Sequence, residues 1–231
     1  FIPPDFEADA EVARVSLPQF AMPGDERVIY RELPFVHRFY TPQQPDGSVL
    51  ILLHGSGGSE TSLMPLAAKA APNATLLGVR GRSTEEGIAR WFRRFGNSSF
   101  DQNDIAREAE AFAAFVEGAI AAYGIDVKKL RFIGHSNGAN FLAAFFALHP
   151  QFAAETLLLR AMPVLEHWPA ADLSGRKILL SAGETDRYRD QTVRLSEILS
   201  GAGAEIRLET VPHGHDIGAS DNELAKSWLA Q

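Results

Sequence analysis

The chain has 231 residues and a formal net charge of −7, and 45% of its residues are hydrophobic and 22% charged. This balance is typical of a globular protein with a sizeable core, and the length suits one large domain. The acidic charge argues against nucleic-acid binding, and no apolar run reaches the roughly 18 residues of a membrane span. The lack of cysteine excludes disulfides, thiolate metal sites and cysteine nucleophiles. The first residues lack the basic and apolar regions of a signal peptide, so we expect a cytoplasmic protein.

Eight short segments predict strands. The segments 27–32 and 35–40 are separated by two residues and predict an antiparallel hairpin at one edge of a sheet. Six apolar runs follow, at 49–53, 74–79, 130–134, 155–161, 177–183 and 205–211. Most of these runs are continuously apolar rather than alternating, which is typical of strands covered on both faces of a parallel sheet.

Segments with helical spacing alternate with these strands. In 101–123 the apolar side chains fall on one stripe, with Asp101 as candidate N-cap and Gly124 expected to end the helix. The same spacing predicts helices at about 60–71, 136–148, 190–200 and 220–230. The alternation predicts a single α/β domain over 1–231, with a mostly parallel eight-stranded sheet and helices on both faces. Residues 1–26 are interpreted as an N-terminal extension of this domain.

The segment Gly134-His135-Ser136-Asn137-Gly138 matches the pattern G-x-S-x-G between a predicted strand and a predicted helix. In this context the glycines let the strand and helix backbones approach each other, and the serine is exposed at the edge of the sheet. The same letters also occur in purely structural turns, but the strand-turn-helix context favours a nucleophile. We therefore predict that Ser136 is a catalytic nucleophile.

A serine hydroxyl becomes a good nucleophile only beside a base, which must itself be oriented by another group. Asp186 follows the predicted strand at 177–183, and His215 follows the predicted strand at 205–211. Because ligands bind beyond the carboxyl ends of parallel strands, these residues and Ser136 are expected to meet there. The chain order Ser, Asp, His is that of one hydrolase architecture.

Other residues compete for the acid and base roles. Glu184 leaves its strand early and Asp190 is expected to cap the next helix, so Asp186 is the preferred acid. His213 competes with His215, and the His-x-His spacing also suggests a metal pair, although no third ligand cluster lies nearby in sequence. We prefer His215 as the base and expect His213 to shape the loop.

Acyl transfer needs donors for the developing oxyanion. The backbone N–H of Asn137 follows the nucleophile directly, and a second donor is expected from the glycine-rich loop 54–58, where we assign it to the N–H of Ser56. The glycines also suggest a phosphate loop. However, G-x-G-x-x-G fails at Glu60 and no Gly-Lys-Ser/Thr follows, so nucleotide binding is not expected.

Two longer segments, 80–100 and 161–176, leave strand ends on the predicted catalytic side. We expect them to line the substrate pocket, with Trp91, Phe92 and Met162 as candidate pocket side chains. The alternative is that these aromatic residues only anchor their loop. Three arginines in 80–100, Arg90, Arg93 and Arg94, are expected to face solvent rather than to select acidic esters.

The motifs LLHGSGG, GHSNGAN, AGETD and HGHD occur in an order that resembles the α/β-hydrolase superfamily, and most closely its small phospholipase/carboxylesterase family. The resemblance spans 49–231. GVRG followed by ARWFRRF, together with SNGAN, is similar to the hydrolase branch linked to hydroquinone and catechol resistance. The resemblance implies a serine carboxylesterase that acts on small-molecule esters, needs no cofactor and often forms a homodimer. The site residues that it implies are Ser136, Asp186 and His215 as triad, and the amides of Ser56 and Asn137 as oxyanion hole.

The expected activity is hydrolysis of small to medium carboxylic esters. A thioesterase or a lysophospholipase would share the machinery and differ in the pocket. A series of acyl chains separates these alternatives, because a short-chain esterase loses kcat/KM with long acyl groups. A non-catalytic receptor on the same fold is a more distant alternative, since a binding module has no need of an activated nucleophile.

Overall fold

A computed structural model of the protein describes residues 33–96 and 98–230. In chain order, the strands are β1 (His37–Tyr40), β2 (Val49–Leu53), β3 (Thr75–Val79), β4 (Ser83–Glu85), β5 (Ile88–Arg90), β6 (Leu130–His135), β7 (Glu155–Leu159), β8 (Lys177–Gly183) and β9 (Glu205–Val211). The α-helices are α1 (Met64–Ala70), α2 (Gln102–Tyr123), α3 (Asn137–Leu148), α4 (Arg189–Gly201) and α5 (Ala219–Leu229). No helix in this part of the chain is long and apolar enough to cross a membrane.

The main sheet has the strand order β1-β3-β2-β6-β7-β8-β9 over the described residues, and β4 and β5 form a separate antiparallel ribbon. All neighbours in the main sheet are parallel except β1, which lies antiparallel to β3 at the edge. The six predicted apolar runs are all confirmed as strands of this mostly parallel sheet. The remaining predicted strand, 27–32, and the extension 1–26 lie outside the described residues.

Strand β2 shows why these runs are continuously apolar. All five residues of Val49–Leu53 are buried. Their side chains alternate between two cores, with Ile51 in the core beneath α2, α3 and α4 and Leu52 in the core beneath α1 and α5. Because both faces of the sheet are covered by helices, successive side chains must all be apolar. This arrangement confirms the predicted helices on both faces.

The ends of α2 follow local sequence signals. Asp101 has extended backbone, and its side chain accepts a hydrogen bond from the Asp104 amide at 3.0 Å, as an N-cap does. Gly124 ends the helix with φ at 63°. Helix α1 is shorter than the predicted 60–71, because the chain forms turns before Pro65, which occupies the first helical turn where proline is favoured.

An aromatic cluster fills the space between α2, α3 and the residues after β5. The Trp91 ring stacks on Phe141 at a centroid distance of 5.1 Å and meets the edge of Phe112 at 5.6 Å. The Trp91 indole N–H donates to the His54 carbonyl at 2.9 Å, so its polar atom is satisfied within the core.

This packing corrects one prediction about the pocket. Trp91 and Phe92 are only 0% and 1% exposed, so they belong to the core and do not line an open pocket. The segment turns inward after β5, because its bulky apolar side chains gain more from burial between the helices than from facing a solvent-filled cleft. The alternative interpretation, in which the aromatic residues anchor their loop, is the one that the structure supports.

The aromatic cluster makes a prediction about stability. Phe112 is fully buried and contacts several other rings, whereas Phe95 is 70% exposed. We expect Phe112→Ala to lower the free energy of unfolding by about 3–5 kcal/mol, because it leaves a cavity in a packed core. The matched Phe95→Ala change should stay within about 0.5 kcal/mol of the parent. Urea unfolding measures both, and equal effects would contradict this assignment of the core.

Candidate active site

Ser136 occupies a strained turn between β6 and α3. Its φ is 49° and its ψ −118°, a conformation that residues other than glycine rarely adopt. The turn is fixed on both sides, because the Ser136 amide donates to the Leu159 carbonyl and the Ser136 carbonyl accepts from the Asn140 amide, both at 2.8 Å. The strained conformation is therefore held by the neighbouring strand β7 and by the first turn of α3.

Two glycines allow this turn to pack tightly. A Cβ atom on Gly134 would lie 2.7 Å from the Cα of Ala139, and a Cβ on Gly138 would lie 2.4 Å from the Leu53 carbonyl oxygen. Both distances are too short for real contacts, so any side chain would push α3 away from β2 and β6. The prediction that these glycines permit close backbone approach is confirmed.

The structure brings the three predicted triad residues together. The Ser136 hydroxyl oxygen lies 2.8 Å from Nε2 of His215, and Nδ1 of His215 lies 2.8 Å from Oδ2 of Asp186. The other carboxylate oxygen of Asp186 accepts a hydrogen bond from the Tyr188 amide at 2.9 Å. The Asp186 side chain is 1% exposed and that of His215 36% exposed, so the acid is buried while the base reaches the surface.

The residues that compete with Asp186 and His215 for the acid and base roles are not part of this hydrogen-bonded chain. Glu184 and Asp190 are exposed. His213 turns away from the serine, and its Nε2 atom lies 3.2 Å from Oδ2 of Asp221. In residues 33–96 and 98–230, no group of three or more His, Asp or Glu side chains is arranged to hold a metal ion.

The loop 54–58 carries Ser56, one of the two predicted oxyanion donors. Within the described part of the chain, no protein group accepts a hydrogen bond from the backbone N–H of Ser56 or of Asn137. The loop begins at His54, which is buried; Nε2 accepts from the Gly81 amide at 3.0 Å and Nδ1 donates to the Gly55 carbonyl at 2.7 Å. The role of the two amides as oxyanion donors stays a prediction.

The ribbon of β4 and β5 packs against this loop through Arg90. Its Nη1 atom donates to the Ser56 hydroxyl at 2.7 Å, and its Nε atom lies 3.3 Å from a carboxylate oxygen of Glu85. The Gly57 amide donates to the Ala89 carbonyl at 2.8 Å. Arg90 is 5% exposed, so the expectation that the arginines of 80–100 face solvent is wrong for this residue. Burial makes Arg90 a fixed donor beside the candidate oxyanion loop.

Two asparagine side chains of α3 each bind the backbone of one of the two long segments, 80–100 and 161–176. Oδ1 of Asn137 accepts from the Trp91 amide at 2.8 Å, and Oδ1 of Asn140 accepts from the Met162 amide at 2.7 Å. Met162 is partly buried against the core, and its predicted contact with substrate stays a prediction. The sequence motif SNGAN identified these asparagines without indicating what they bind.

Sequence reasoning missed a buried ion pair beside His215. Arg160 follows β7 and Asp221 lies in the first turn of α5, and both side chains are 0% exposed. One signal was present in the sequence, since Arg160 interrupts an apolar run that is buried on both faces of the sheet. A charge in such a place needs a partner. The partner lies 61 residues further along the chain, which no local pattern reveals.

The chain is similar to known hydrolases over most of its length. It is 42% identical to a carboxylesterase from Mesorhizobium loti, with a TM-score of 0.83 over 86% of this chain and 96% of that chain. A carboxylesterase from Bacillus cereus is 29% identical, with a TM-score of 0.82 over 87% and 96% of the two chains. The protein "Putative hydrolase MhqD" of Bacillus subtilis (strain 168) is 28% identical over 80% of this chain and 93% of its own length. No family model matches the chain.

The strain at Ser136 makes a prediction about stability. Ser136→Gly and Ser136→Ala both remove the hydroxyl, but only glycine adopts φ 49° freely. Glycine relieves about 1–3 kcal/mol of backbone strain, which exceeds the entropic cost of a glycine in the unfolded chain. We therefore expect the free energy of unfolding of Ser136→Gly to exceed that of Ser136→Ala by roughly 1 kcal/mol. Chemical unfolding measures this difference. The control Ala114→Gly, on an exposed position of α2, should instead be destabilising.

Two buried histidines lead to a prediction about how the free energy of unfolding depends on pH. Burial lowers the pKa values of His54 and His135 below the ordinary value of 6.5. The unfolded chain therefore takes up protons near pH 6.5 where the folded chain does not. The free energy of unfolding should fall as the pH drops from 7.5 to 5.5, by up to about 1.4 kcal/mol per pH unit for each such group. His135→Gln should give a shallower decline, and a stability that rises over this range would contradict the argument.

Proposed function

Because the chain belongs to the α/β-hydrolase superfamily and its small phospholipase/carboxylesterase family, we propose that it is a serine carboxylesterase that hydrolyses small to medium carboxylic esters. The observation that carries the proposal is the hydrogen-bonded chain Asp186–His215–Ser136, with both bonds 2.8 Å long. The carboxylesterase names of two similar proteins support the substrate class.

In the first step, the Ser136 hydroxyl oxygen attacks the carbonyl carbon of the ester while Nε2 of His215 accepts its proton. Asp186 accepts a hydrogen bond from Nδ1 of His215, which leaves Nε2 with its lone pair towards the serine and stabilises the imidazolium that forms. Burial of Asp186 and its second bond to the Tyr188 amide hold this carboxylate in one orientation. The base is therefore presented in the tautomer that the reaction requires.

The carbonyl oxygen becomes an oxyanion in the tetrahedral intermediate. We assign its stabilisation to the backbone N–H groups of Ser56 and Asn137. Both amides lie next to groups that are fixed, since Arg90 binds the Ser56 side chain and the Trp91 amide binds the Asn137 side chain. Donors that are already oriented stabilise the developing charge without reorganising during the reaction.

Collapse of the intermediate breaks the ester C–O bond, and the imidazolium of His215 donates its proton to the departing alcohol. This step leaves an acyl ester on Ser136. A water molecule then attacks the acyl carbon, with His215 as general base, and the second tetrahedral intermediate releases the carboxylic acid and regenerates the Ser136 hydroxyl.

The proposal predicts one reactive serine. A fluorophosphonate ester should add once to the wild-type protein and not at all to Ser136→Ala, as read from the intact-protein mass. Asp186→Asn should lower kcat for a short-chain ester by about 10³–10⁴-fold, because the imidazole loses its orienting acceptor. The matched control Glu184→Gln alters an exposed carboxylate two residues away and should retain wild-type kcat. A wild-type protein that folds but neither reacts nor hydrolyses esters would instead favour the receptor alternative.

A further inference from the structure

Arg160 is a buried cation held by a buried carboxylate. Its Nη1 and Nη2 atoms lie 2.9 and 2.8 Å from the two carboxylate oxygens of Asp221, a bidentate pair. The Ser181 hydroxyl lies 2.6 Å from Nη1 of Arg160 and 3.0 Å from Oδ1 of Asp221. The pair thus joins the ends of β7 and β8 to the first turn of α5.

The same guanidinium binds the backbone around His215. Arg160 donates from Nε to the Gly214 carbonyl at 2.8 Å and from Nη2 to the Asp216 carbonyl at 3.3 Å. The carbonyl between them, that of His215, accepts from Nε2 of His135 at 3.1 Å. Three consecutive carbonyls of the loop are therefore held by side chains from the edge of the sheet, two of them by one arginine.

The backbone of Arg160 supports a specific role for its side chain. Its φ is 57°, in the left-handed region that favours glycine. The arginine is nevertheless found there, fully buried, with donors that reach both sides of His215. A position whose backbone favours glycine but whose side chain makes these bonds is one where the guanidinium itself is needed.

We propose that Arg160 is the positioning residue for His215, an inference that rests on the proposed role of His215 as general base. By fixing the carbonyls of Gly214 and Asp216, Arg160 sets the position and orientation of the His215 imidazole between Ser136 and Asp186. Displacements of about 1 Å in a catalytic group reduce rates by about 10²-fold. Arg160 acts on the reaction only through the loop, so substrate binding is largely independent of it.

Positioning can be separated from stability. A buried ion pair is often replaced by uncharged residues at little cost in stability, whereas removal of one partner leaves a charge unpaired. The double variant Arg160→Met with Asp221→Asn removes both charges together. It also keeps a side-chain oxygen at 221 for the Gly218 amide, which donates to Oδ2 of Asp221 at 2.9 Å.

The test compares steady-state kinetics of this double variant with those of the wild type on one short-chain ester. We expect kcat to fall about 10²-fold and KM to change less than about threefold, while circular dichroism and the melting temperature remain close to wild type. The rate of fluorophosphonate labelling should fall in parallel with kcat. A control with the same types of substitution, Arg131→Met with Glu155→Gln, removes a partly exposed arginine–carboxylate pair of 2.7 Å at the starts of β6 and β7, and it should keep wild-type kcat.

A folded double variant with kcat within threefold of wild type would overturn the inference. If the double variant does not fold, Arg160→Lys decides, because lysine keeps the charge beside Asp221 but lacks the fork that reaches both carbonyls. We expect it to lose at least tenfold in kcat, and a wild-type kcat would overturn the inference. A wild-type protein that does not react with the fluorophosphonate would overturn the proposed function, and the inference with it.

Discussion

The close approach of α3 to the ends of β2 and β6 is the constraint on which the rest of the site depends. It requires glycine at 134 and 138, and it forces Ser136 into a conformation that its own side chain disfavours. The neighbouring strands then determine what can surround the serine, because the segments after β2, β7, β8 and β9 all emerge at the same edge of the sheet. The candidate triad residues meet because each of them lies at this shared edge of the sheet.

Hydrogen bonds hold the segments after β2, β8 and β9. His54 and Arg90 fix the loop after β2, the Tyr188 amide fixes Asp186 after β8, and Arg160 fixes the loop after β9. Each of these bonds is at least partly buried, where an unpaired donor or acceptor would be costly, so the bonds favour one arrangement of each segment. The Ser136–His215 contact is thereby surrounded by hydrogen-bonded supports, whereas the His215 side chain itself is partly exposed.

Much of the site could be predicted because each triad candidate carries a local signal. Ser136 lies in a motif, and Asp186 and His215 each follow an apolar strand, so the parallel sheet predicted from continuous apolar runs was enough to expect them together. Trp91 and Phe92 show where this reasoning fails. An aromatic residue after a strand end is equally compatible with a pocket wall and with the core, and only the packing of α2 against α3 decides between them.

The sequence by itself determined the apolar strands of the main sheet, the longer helices, the turn at Ser136 and the three candidate triad positions, since these depend on local periodicity and on residues close in the chain. Only the tertiary structure decided which buried charges are paired and what they hold. Arg160 and Asp221 are 61 residues apart and meet because β7 ends and α5 begins at the same edge of the sheet. Such contacts depend on the three-dimensional path of the chain, which cannot be inferred from a pattern of a few neighbouring residues.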